Sequence, residues 1–302
     1  MNDLVLVTGG AGFIGSHLAE RLLARGYRVR ILDNLVYGQT RWVPSGAQFI
    51  QGDITDLDAC RRACEGARGV FHAAAMSRAA PSLQAIDACT RQNIVGTQNI
   101  LIAARDAGAK KLVYSGSSTY YGNQPGPHTE DMRADFLNFY ALSKYVGEEY
   151  CRLFDRMLNF STVILRYFNV YGPRQPQTGA YALVLGVFLR RWHDNYPLEI
   201  HGTGAQRRDF VHVRDIAECN VAAYERPAHN ITLNVGSGTN ISVKELADLI
   251  SPNQVYLPRR AGDAEVTLAD ISRTTATLGW RPRIPFSEGL EEMKRLMQQG
   301  DE

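Results

Sequence analysis

The composition of the chain is typical of a folded globular protein. Its 302 residues are 45% hydrophobic and 21% charged, which allows one large domain or two modest ones with a sizeable core. The formal net charge of +2 favours neither nucleic acid nor an anionic membrane surface as a partner. The sequence contains no run of 18 apolar residues, so we expect no membrane-spanning segment.

The cysteines argue against disulfides and against a zinc site. They are odd in number and form no CxxC pair; their positions are Cys60, Cys64, Cys89, Cys151 and Cys219. The chain opens directly on a strand pattern and lacks the charged and apolar regions of a signal peptide. We therefore expect no metal and a reduced, cytoplasmic setting.

Apolar strand patterns alternate with amphipathic helical patterns through the first half of the chain. Strands are predicted at 4–7, 28–32, 48–51, 69–72, 112–115 and 162–165, and helices at 14–25, 57–65, 90–107 and 139–156. This alternation predicts an α/β fold with a doubly wound, Rossmann-type parallel sheet. Strands that are apolar along their whole length, such as residues 4–7, indicate a sheet covered on both faces.

The pattern changes after Arg166, where Gly, Pro and Tyr become frequent. Residues 1–168 are predicted to form the first domain, and 169–208 with 236–302 a smaller second α/β domain. Residues 209–225 look like one further strand–helix unit that returns to the large sheet, so 209–235 is assigned to the first domain. Helices are predicted in the second domain near 182–194, 243–250 and 287–299. A short strand is predicted at 232–238, where the two domain assignments meet.

Three glycines lie between the first strand and the first helix. Gly9 can turn the chain, Gly12 lets the backbone approach a pyrophosphate, and Gly15 lets the helix pack closely on the sheet. Asp33 closes the second strand, where a carboxylate can bind the adenosine ribose 2′-OH and would repel a 2′-phosphate. This favours NAD as the cofactor, although Arg41 leaves NADP open.

Two further strand ends can contact such a cofactor. In GDITD (52–56), Asp53 can bind the adenine amino group with Ile54 against the ring; the alternative is a helix N-cap with a core isoleucine. In FHAAAMS (71–77), the small side chains of Ala73, Ala74 and Ala75 allow close approach of the cofactor or, equally, tight helix–sheet packing.

Tyr140 and Lys144 form a candidate catalytic pair. Four residues apart, they share one helix face, and an ammonium close to a phenol favours the phenolate. Tyr140 can then act as the base that removes a hydroxyl proton, while Lys144 also binds the nicotinamide ribose. Upstream, Ser117, with Thr119 in support, follows a strand end and can orient the substrate hydroxyl, although serine and threonine are also frequent in turns.

Together these features resemble the extended short-chain dehydrogenase/reductase family, in its sugar-nucleotide epimerase and dehydratase branch. The resemblance spans almost the whole chain. It rests on TGGAGFIGSHL (8–18), DN (33–34), GDITD, FHAAA, NIVGTQNIL (93–101), YSGSSTYYG (114–122), YALSK (140–144), RYFNVYGPRQ (166–175), GTGAQRRDFVHVRD (202–215), LNVGSG (233–238) and RRAGDAE (259–265).

The resemblance implies a set of site residues and a homodimer. Residues expected to contact NAD are Gly9, Gly12, Phe13, Ile14, Gly15, Asp33, Asn34, Asp53, Ile54, Ala73, Ala74, Ala75, Asn93, Ser115, Tyr140, Lys144 and Tyr167. Residues expected to contact a nucleotide-sugar substrate are Ser117, Ser118, Asn169, Arg208, Arg260 and Thr267. In relatives, the helices corresponding to 90–107 and 139–156 pair across a dimer.

Epimerases and dehydratases of this branch differ in one short run of residues. Related 4,6-dehydratases carry Thr-Asp-Glu where this chain has Ser117-Ser118-Thr119, so the usual acid–base pair of dehydration is missing. We therefore predict a 4-epimerase. Gly116 and Tyr120 are unusual beside the corresponding run of the epimerases, which leaves open a 4,6- or 5,6-dehydratase with a non-standard acid and base. A catalytically inactive NAD-binding regulator is a more remote alternative.

Thr267 indicates the substrate. It falls where related epimerases carry either a bulky or a small residue, and a small residue there accompanies room for an N-acetyl group. The resemblance therefore implies a UDP-hexose, and the small threonine favours a UDP-N-acetylhexosamine.

Overall fold

The architecture is a doubly wound α/β fold built on one parallel sheet. The computed structural model describes residues 3–77, 79–179, 182–259 and 264–300. Seven strands form the main sheet, all of them paired in parallel, in the order β11-β6-β5-β4-β1-β2-β3. The predicted fold class is therefore confirmed.

The strands of the first half of the chain begin and end within two residues of the predicted positions. The described strands are β1 Leu4–Thr8, β2 Arg28–Asp33, β3 Gln48–Gln51, β4 Gly69–His72, β5 Lys111–Ser117, β6 Ser161–Tyr167, β7 Asn169–Tyr171, β8 Leu198–His201, β9 Arg207–Arg208, β10 Phe210–His212, β11 Ile231–Val235, β12 Ile241–Ser242 and β13 Gln254–Leu257.

The helices cover both faces of this sheet, and some of them belong to a second region, which comprises residues 169–212 and 236–302. The described α-helices are α1 Phe13–Ala24, α2 Leu57–Cys64, α3 Ala79–Gln84, α4 Ile86–Thr90, α5 Gly96–Asp106, α6 Phe139–Leu158, α7 Val184–His193, α8 Val213–Glu225, α9 Val243–Ile250, α10 Ser272–Leu278 and α11 Phe286–Gln299. In the part of the chain that is described, no helix is long and apolar enough to cross a membrane.

Burial on both faces explains the apolar strands. Every residue of β1 is buried, and the side chains of β5 alternate between two cores, with Val113 on one side and Leu112 on the other. One core includes residues of α1 and α8, and the opposite core includes residues of α2, α5 and α6. The parallel strands thus need apolar side chains in both directions, as the sequence pattern predicts.

The second region contains three two-stranded sheets. β7 pairs with β10, β8 with β13, and β9 with β12. The interpretation of residues 209–225 as a unit returning to the large sheet needs a correction, because the strand β10 pairs with β7 instead. α8 packs against α1, and β11 then takes the edge position beside β6. The chain therefore returns to the main sheet one strand later than the sequence indicated.

The helix predicted at 90–107 is interrupted by a π-helical segment, Arg91–Val95, between α4 and α5. Asn93 lies in this segment and is fully buried. Its Oδ1 accepts from the Met76 N–H at 2.8 Å, while its Nδ2 donates to Met76 O and to Ser143 Oγ, both at 2.9 Å. Through these hydrogen bonds, Asn93 connects the loop after β4 to α6, and the wider π turn occurs at this residue. Helical periodicity in the sequence does not indicate such a contact between distant segments.

A buried ion pair joins α6 to β6, the strand beside the edge strand β11. Arg166 donates to Glu148 from Nη2 at 2.8 Å and from Nε at 3.1 Å, and each side chain is only 1% exposed. The Arg166 guanidinium lies 3.5 Å from the centroid of the Tyr120 ring. A Cβ on Gly116 would approach Glu148 Oε1 to 3.0 Å. The two unusual residues, Gly116 and Tyr120, therefore accommodate this ion pair.

Removing one partner of this pair should destabilise the protein strongly. Arg166→Met leaves a carboxylate buried without its main counter-charge, and we expect the free energy of unfolding in urea to fall by about 3–5 kcal/mol. The matched control is Arg25→Met, which breaks the more exposed Arg25–Glu225 pair and should cost about 1 kcal/mol or less. The double variant Arg166→Met/Glu148→Met should recover much of the loss. Equal losses from Arg166→Met and Arg25→Met would show that burial gives the Arg166–Glu148 pair no special weight.

Candidate functional site

The predicted site residues on the main sheet lie at or just after the carboxyl ends of its strands. Because the strands are parallel, the carboxyl ends of β1, β2, β4, β5 and β6 lie along the same edge. The strand order reverses beside β1, which has β2 on one side and β4 on the other, and ligands of open α/β sheets bind at such a switch point.

The turn between β1 and α1 is built as an anion cradle. Gly9 has φ +70°, and a Cβ on it would lie 2.8 Å from Ala74 N. A Cβ on Gly15 would lie 2.1 Å from Gly9 O, so only glycine allows this approach of backbone to backbone. Gly12 caps α1 without any side-chain hydrogen bond, and the first turn carries no acidic residue. Positioned in this way, the helix N-terminus, with Phe13 and Ile14 in its first turn, suits a diphosphate.

Asp33 is held rigidly at the end of β2. Its carboxylate accepts from Ala11 N at 3.0 Å and from Leu35 N at 2.8 Å. Burial raises its pKa, while these two hydrogen bonds act in the opposite direction. The carboxylate of Asp33 is thus fixed where an adenosine ribose is expected.

Arg41, the residue that left NADP open, donates from Nε to Gln39 Oε1, and its guanidinium lies over the Trp42 ring.

Asp53 gathers donors from two neighbouring segments. It accepts from Asn34 Nδ2 at 2.7 Å, from Thr55 N at 2.8 Å and from Gln92 Nε2 at 3.1 Å. Burial acts to raise its pKa, but the hydrogen bonds outweigh it and the pKa is lowered. The N-cap of α2 is Asp56 rather than Asp53. Ile54 is 3% exposed and belongs to the core beside α2 and α5.

A buried polar chain supports the alanines after β4. Thr97 Oγ1 donates to Asn93 O at 2.6 Å and therefore accepts from His72 Nε2 at 3.0 Å. On the other side, Thr8 Oγ1 accepts from Ala74 N at 3.2 Å and donates to His72 Nδ1 at 2.7 Å. Burial lowers the pKa of His72 to about 3, and the Lys144 charge acts in the same direction, so the imidazole is neutral.

This chain of contacts around His72 was not predicted from the sequence. The motifs singled out Ala73, Ala74 and Ala75 but not the polar side chains of Thr8 and Thr97. One sequence feature could have indicated these contacts. Each of these polar residues lies at the end of an apolar strand or on the apolar face of a helix, where an unpaired polar group would be costly, so a hydrogen-bond partner is expected.

The candidate catalytic pair, Tyr140 and Lys144, lies on α6. Asn138 caps this helix by accepting from Ala141 N at 2.9 Å. Lys144 is only 4% exposed, and its ammonium lies 4.2 Å from the centroid of the Tyr114 ring. Burial lowers the pKa of Lys144 to about 8, partly offset by the Glu148 carboxylate on the next turn. A lysine whose pKa is lowered towards neutral pH thus lies one turn along α6 from Tyr140.

Hydroxyl groups converge where β5 ends. Ser117 Oγ and Thr119 Oγ1 are 2.9 Å apart, and Ser118 begins the short 3₁₀ helix Ser118–Tyr121. Tyr167 donates its hydroxyl proton to Asn220 Oδ1 at 2.9 Å, so Ser115 Oγ donates to the Tyr167 oxygen at 3.1 Å. The structure therefore brings Ser117 and Thr119 together, while Ser115 and Tyr167 pair with each other in a more buried position.

Of the predicted substrate residues that follow β6, the structure brings two into contact. Asn169 Nδ2 donates to Thr267 Oγ1 at 2.9 Å and to Asp209 O at 3.0 Å. Arg208, on β9, donates from Nη1 to Arg207 O at 2.9 Å. Arg260 lies outside the described residues. Asn169 and Thr267 are thus direct neighbours although 98 positions separate them along the chain.

Comparison with known proteins agrees with this arrangement. The model of the NAD dependent epimerase/dehydratase family matches residues 5–236. A UDP-glucose 4-epimerase of Mycolicibacterium smegmatis is 33% identical over 299 residues, covering 94% of this chain and 95% of that protein.

Two solved structures are similar over nearly their whole length. The UDP-glucose 4-epimerase of Thermotoga maritima, solved with UDP-glucose, superposes with a TM-score of 0.95 at 32% identity and covers 99% of this chain and 100% of that one. The UDP-N-acetylglucosamine 4-epimerase of Methanobrevibacter ruminantium, solved with UDP-N-acetylmuramic acid, gives a TM-score of 0.94 at 32% identity with the same coverage.

These similarities confirm the resemblance drawn from the motifs, and with it NAD as the cofactor. The family description covers both epimerases and dehydratases, so it leaves the reaction and the sugar to be argued from the site. The chain is an enzyme that belongs to the NAD-dependent epimerase/dehydratase family.

Proposed function

We propose that this enzyme is an NAD-dependent 4-epimerase of UDP-hexoses and that it prefers a UDP-N-acetylhexosamine. The observation that carries the proposal is the hydroxyl-only set at the end of β5, Ser117, Ser118 and Thr119, together with the pair Tyr140 and Lys144 on α6. This set can move one proton at a substrate hydroxyl, and epimerisation at C4 requires no other acid or base.

The glycine turn and the strand ends fit the cofactor. Gly9, Gly12 and Gly15 would receive the diphosphate, and Asp33 the adenosine ribose, because the turn leaves no room for a Cβ and the helix start carries no competing side-chain cap. When bound there, NAD would supply reversible hydride transfer at C4 of the sugar. Lys144 would bind the nicotinamide ribose from α6.

The protein residues manage the proton. Tyr140 removes the proton from the 4-hydroxyl when hydride leaves C4, and it returns that proton when hydride comes back on the other face. The Lys144 ammonium lowers the cost of the phenolate by its charge. Ser117, hydrogen-bonded to Thr119, holds the same hydroxyl in line with Tyr140. Inversion follows if the sugar turns over in the pocket between the two hydride transfers.

The contacts of Tyr120 weigh against a dehydratase. Tyr120, the candidate replacement acid or base, donates its hydroxyl to Met132 O at 2.9 Å, and its ring covers the Arg166 guanidinium. Its phenol is therefore already engaged in the packing of the ion pair. Without a carboxylate at positions 117 to 119, the C5 proton and the C6 hydroxyl have no assigned acid and base.

The N-acetyl preference rests on Thr267. Its side chain is small, and it lies beside Asn169, which we propose contacts the diphosphate end of the sugar nucleotide. Arg208 and Arg260 would bind the diphosphate and the nucleotide ribose, because guanidinium groups pair well with phosphate oxygens. The structure of a UDP-N-acetylglucosamine 4-epimerase with a TM-score of 0.94 supports this substrate class.

We further propose that the enzyme is a homodimer that pairs through α6 and the helical segment before α5. Phe139, Leu142 and Leu153 on α6 are between 42% and 44% exposed, and Val95 of the π-helical segment is 39% exposed. Exposed apolar side chains on adjoining helices are typical of a surface that a second protein covers.

The first experiment is incubation of the purified protein with UDP-GlcNAc and with UDP-GalNAc, followed by mass spectrometry and NMR. We expect the mass to stay constant and the C4 configuration to invert, because Tyr140 is a base for O4 while positions 117 to 119 provide no carboxylate for elimination. A product lighter by one water would contradict the epimerase. The NMR spectrum would then distinguish a 4-keto-6-deoxy sugar from a 5,6-alkene.

Tyr140→Phe should abolish turnover and spare the cofactor. Loss of the phenolic base should lower kcat by about 10²–10⁴-fold, the range for general acid–base groups. Bound NAD, measured by its release on denaturation, should stay at the wild-type level. Tyr150→Phe on the same helix is the matched control and should keep full activity. Unchanged turnover in Tyr140→Phe would refute its role as the base.

Thr267→Tyr should separate the two classes of sugar. The larger ring would occupy the space proposed for the N-acetyl group, so kcat/KM for UDP-GlcNAc should fall at least about tenfold relative to that for UDP-glucose. Thr267→Ser retains the small volume and the hydroxyl bonded to Asn169, and it should leave the ratio unchanged. A loss of equal size for both sugars in Thr267→Tyr would show that Thr267 does not select the substrate.

A further inference from the structure

Tyr114 lies directly against the Lys144 ammonium inside the protein. The Nζ atom is 4.2 Å from the ring centroid, and Tyr114 is fully buried in β5. A cation over the face of an aromatic ring is attracted by the negative charge density of that face, most strongly where water is excluded. The sequence patterns gave Tyr114 no functional role, so this contact is new information from the fold.

A hydrogen bond holds the ring against the helix that carries the lysine, and a glycine on that helix leaves space for it. Tyr114 OH donates to Lys144 O at 3.2 Å. Gly147, one turn further along α6, makes room for the phenol, since a Cβ there would lie 2.2 Å from Tyr114 OH. The hydroxyl therefore links β5 to α6, and the ring face lies under the ammonium.

Several other groups surround the ammonium. They are Glu148 and Cys151 on α6, Cys89 on α4 and His72 on β4. Glu148 is already bound to Arg166 and to Arg152, and His72 is neutral because burial lowers its pKa to about 3. The pKa of the Cys151 thiol is raised by burial. The ring face of Tyr114 thus offers the ammonium negative charge density at close range, whereas the Glu148 carboxylate is shared with two arginines.

We propose that Tyr114 is a positioning residue for the reaction and that it acts through Lys144. Its ring face keeps the buried ammonium charged and directs it towards Tyr140 and the nicotinamide ribose. The effect on turnover rests on the proposed function, whereas the effect on the lysine itself does not. Because Tyr114 is fully buried, it touches neither the sugar nor bulk water.

The sign of the expected change follows from the charge. Attraction to the ring favours the protonated lysine and so raises its pKa relative to the same site with a weaker ring. Burial already lowers this pKa to about 8. A further fall, after the ring is weakened, would bring the loss of the ammonium into the working range of pH. Activity that needs the ammonium would then fail at a lower pH on the alkaline side.

The test weakens the ring electrostatically with little change in its shape. Tyr114 is replaced by Phe and by 4-fluoro-, 3,4-difluoro- and 3,4,5-trifluorophenylalanine, a series of falling negative charge on the ring face. The Lys144 pKa is measured by NMR titration of the ¹³Cε signals. Assignment is practical because the other lysines are only Lys110, Lys111, Lys244 and Lys294.

We expect the Lys144 pKa to fall stepwise along the series, by about one unit between Phe and the trifluorinated ring, which is a tenfold change in the deprotonation constant. The alkaline limb of the kcat profile should move with it, while KM for the sugar nucleotide stays constant. Trifluorophenylalanine in place of Tyr224, in the opposite core, is the matched control and should leave both measurements unchanged.

A Lys144 pKa that is the same across the fluorinated series would overturn the proposal, whatever the activity does. The result is independent of the proposed reaction, because the titration needs no substrate. If the wild type failed to convert any UDP-sugar while the pKa still fell along the series, the epimerase assignment alone would be refuted. Equal changes from the Tyr224 control would also count against the proposal, because they would indicate a general effect of fluorination.

Discussion

Parallel pairing of seven strands is the constraint on which the rest of the molecule depends. Each connection between parallel strands must cross a face of the sheet, so both faces are covered by helices and the strands become apolar in both directions. The same pairing brings the carboxyl ends of all strands to one edge. Residues that are far apart along the chain, such as Asp33 and Ser117, therefore lie at the same edge of the sheet without any direct contact between their strands.

Buried polar groups connect α6 to the strands β5 and β6 near this edge. On one face of α6, Tyr140, Lys144 and Glu148 follow each other at intervals of one turn. The last of these is bound to Arg166, and the lysine lies over the ring of Tyr114. Their charges are buried with partners, which is the condition under which a charge is tolerated inside a protein. The helix α6 is thus anchored to the sheet electrostatically as well as by packing.

The unusual residues of the chain find a structural reason in this arrangement. Gly116 leaves space for the Glu148 carboxylate, and Tyr120 covers the Arg166 guanidinium. From the sequence alone, these two residues left open a dehydratase with a non-standard acid and base. Within the fold, they adapt the end of β5 to a buried ion pair, and the hydroxyls of Ser117 and Thr119 pair with each other where that strand ends.

The amino-acid sequence by itself determined the fold class, the cofactor and the positions of the first six strands. These depend on local patterns: periodicity, glycines at a strand–helix turn, and an acidic residue at a strand end. It also placed Tyr140 and Lys144 one turn apart on one helix and Ser117 at the end of a strand, because these positions follow from local patterns.

Only the tertiary structure decided which distant groups touch. It broke the helix predicted at 90–107 with a π segment, because Asn93 bonds across to Met76 and Ser143. It paired β10 with β7 instead of the main sheet, since β11 occupies that edge. It also placed Tyr114 under Lys144. Such contacts depend on the packing of segments that lie far apart along the chain, and local sequence patterns carry no record of that packing.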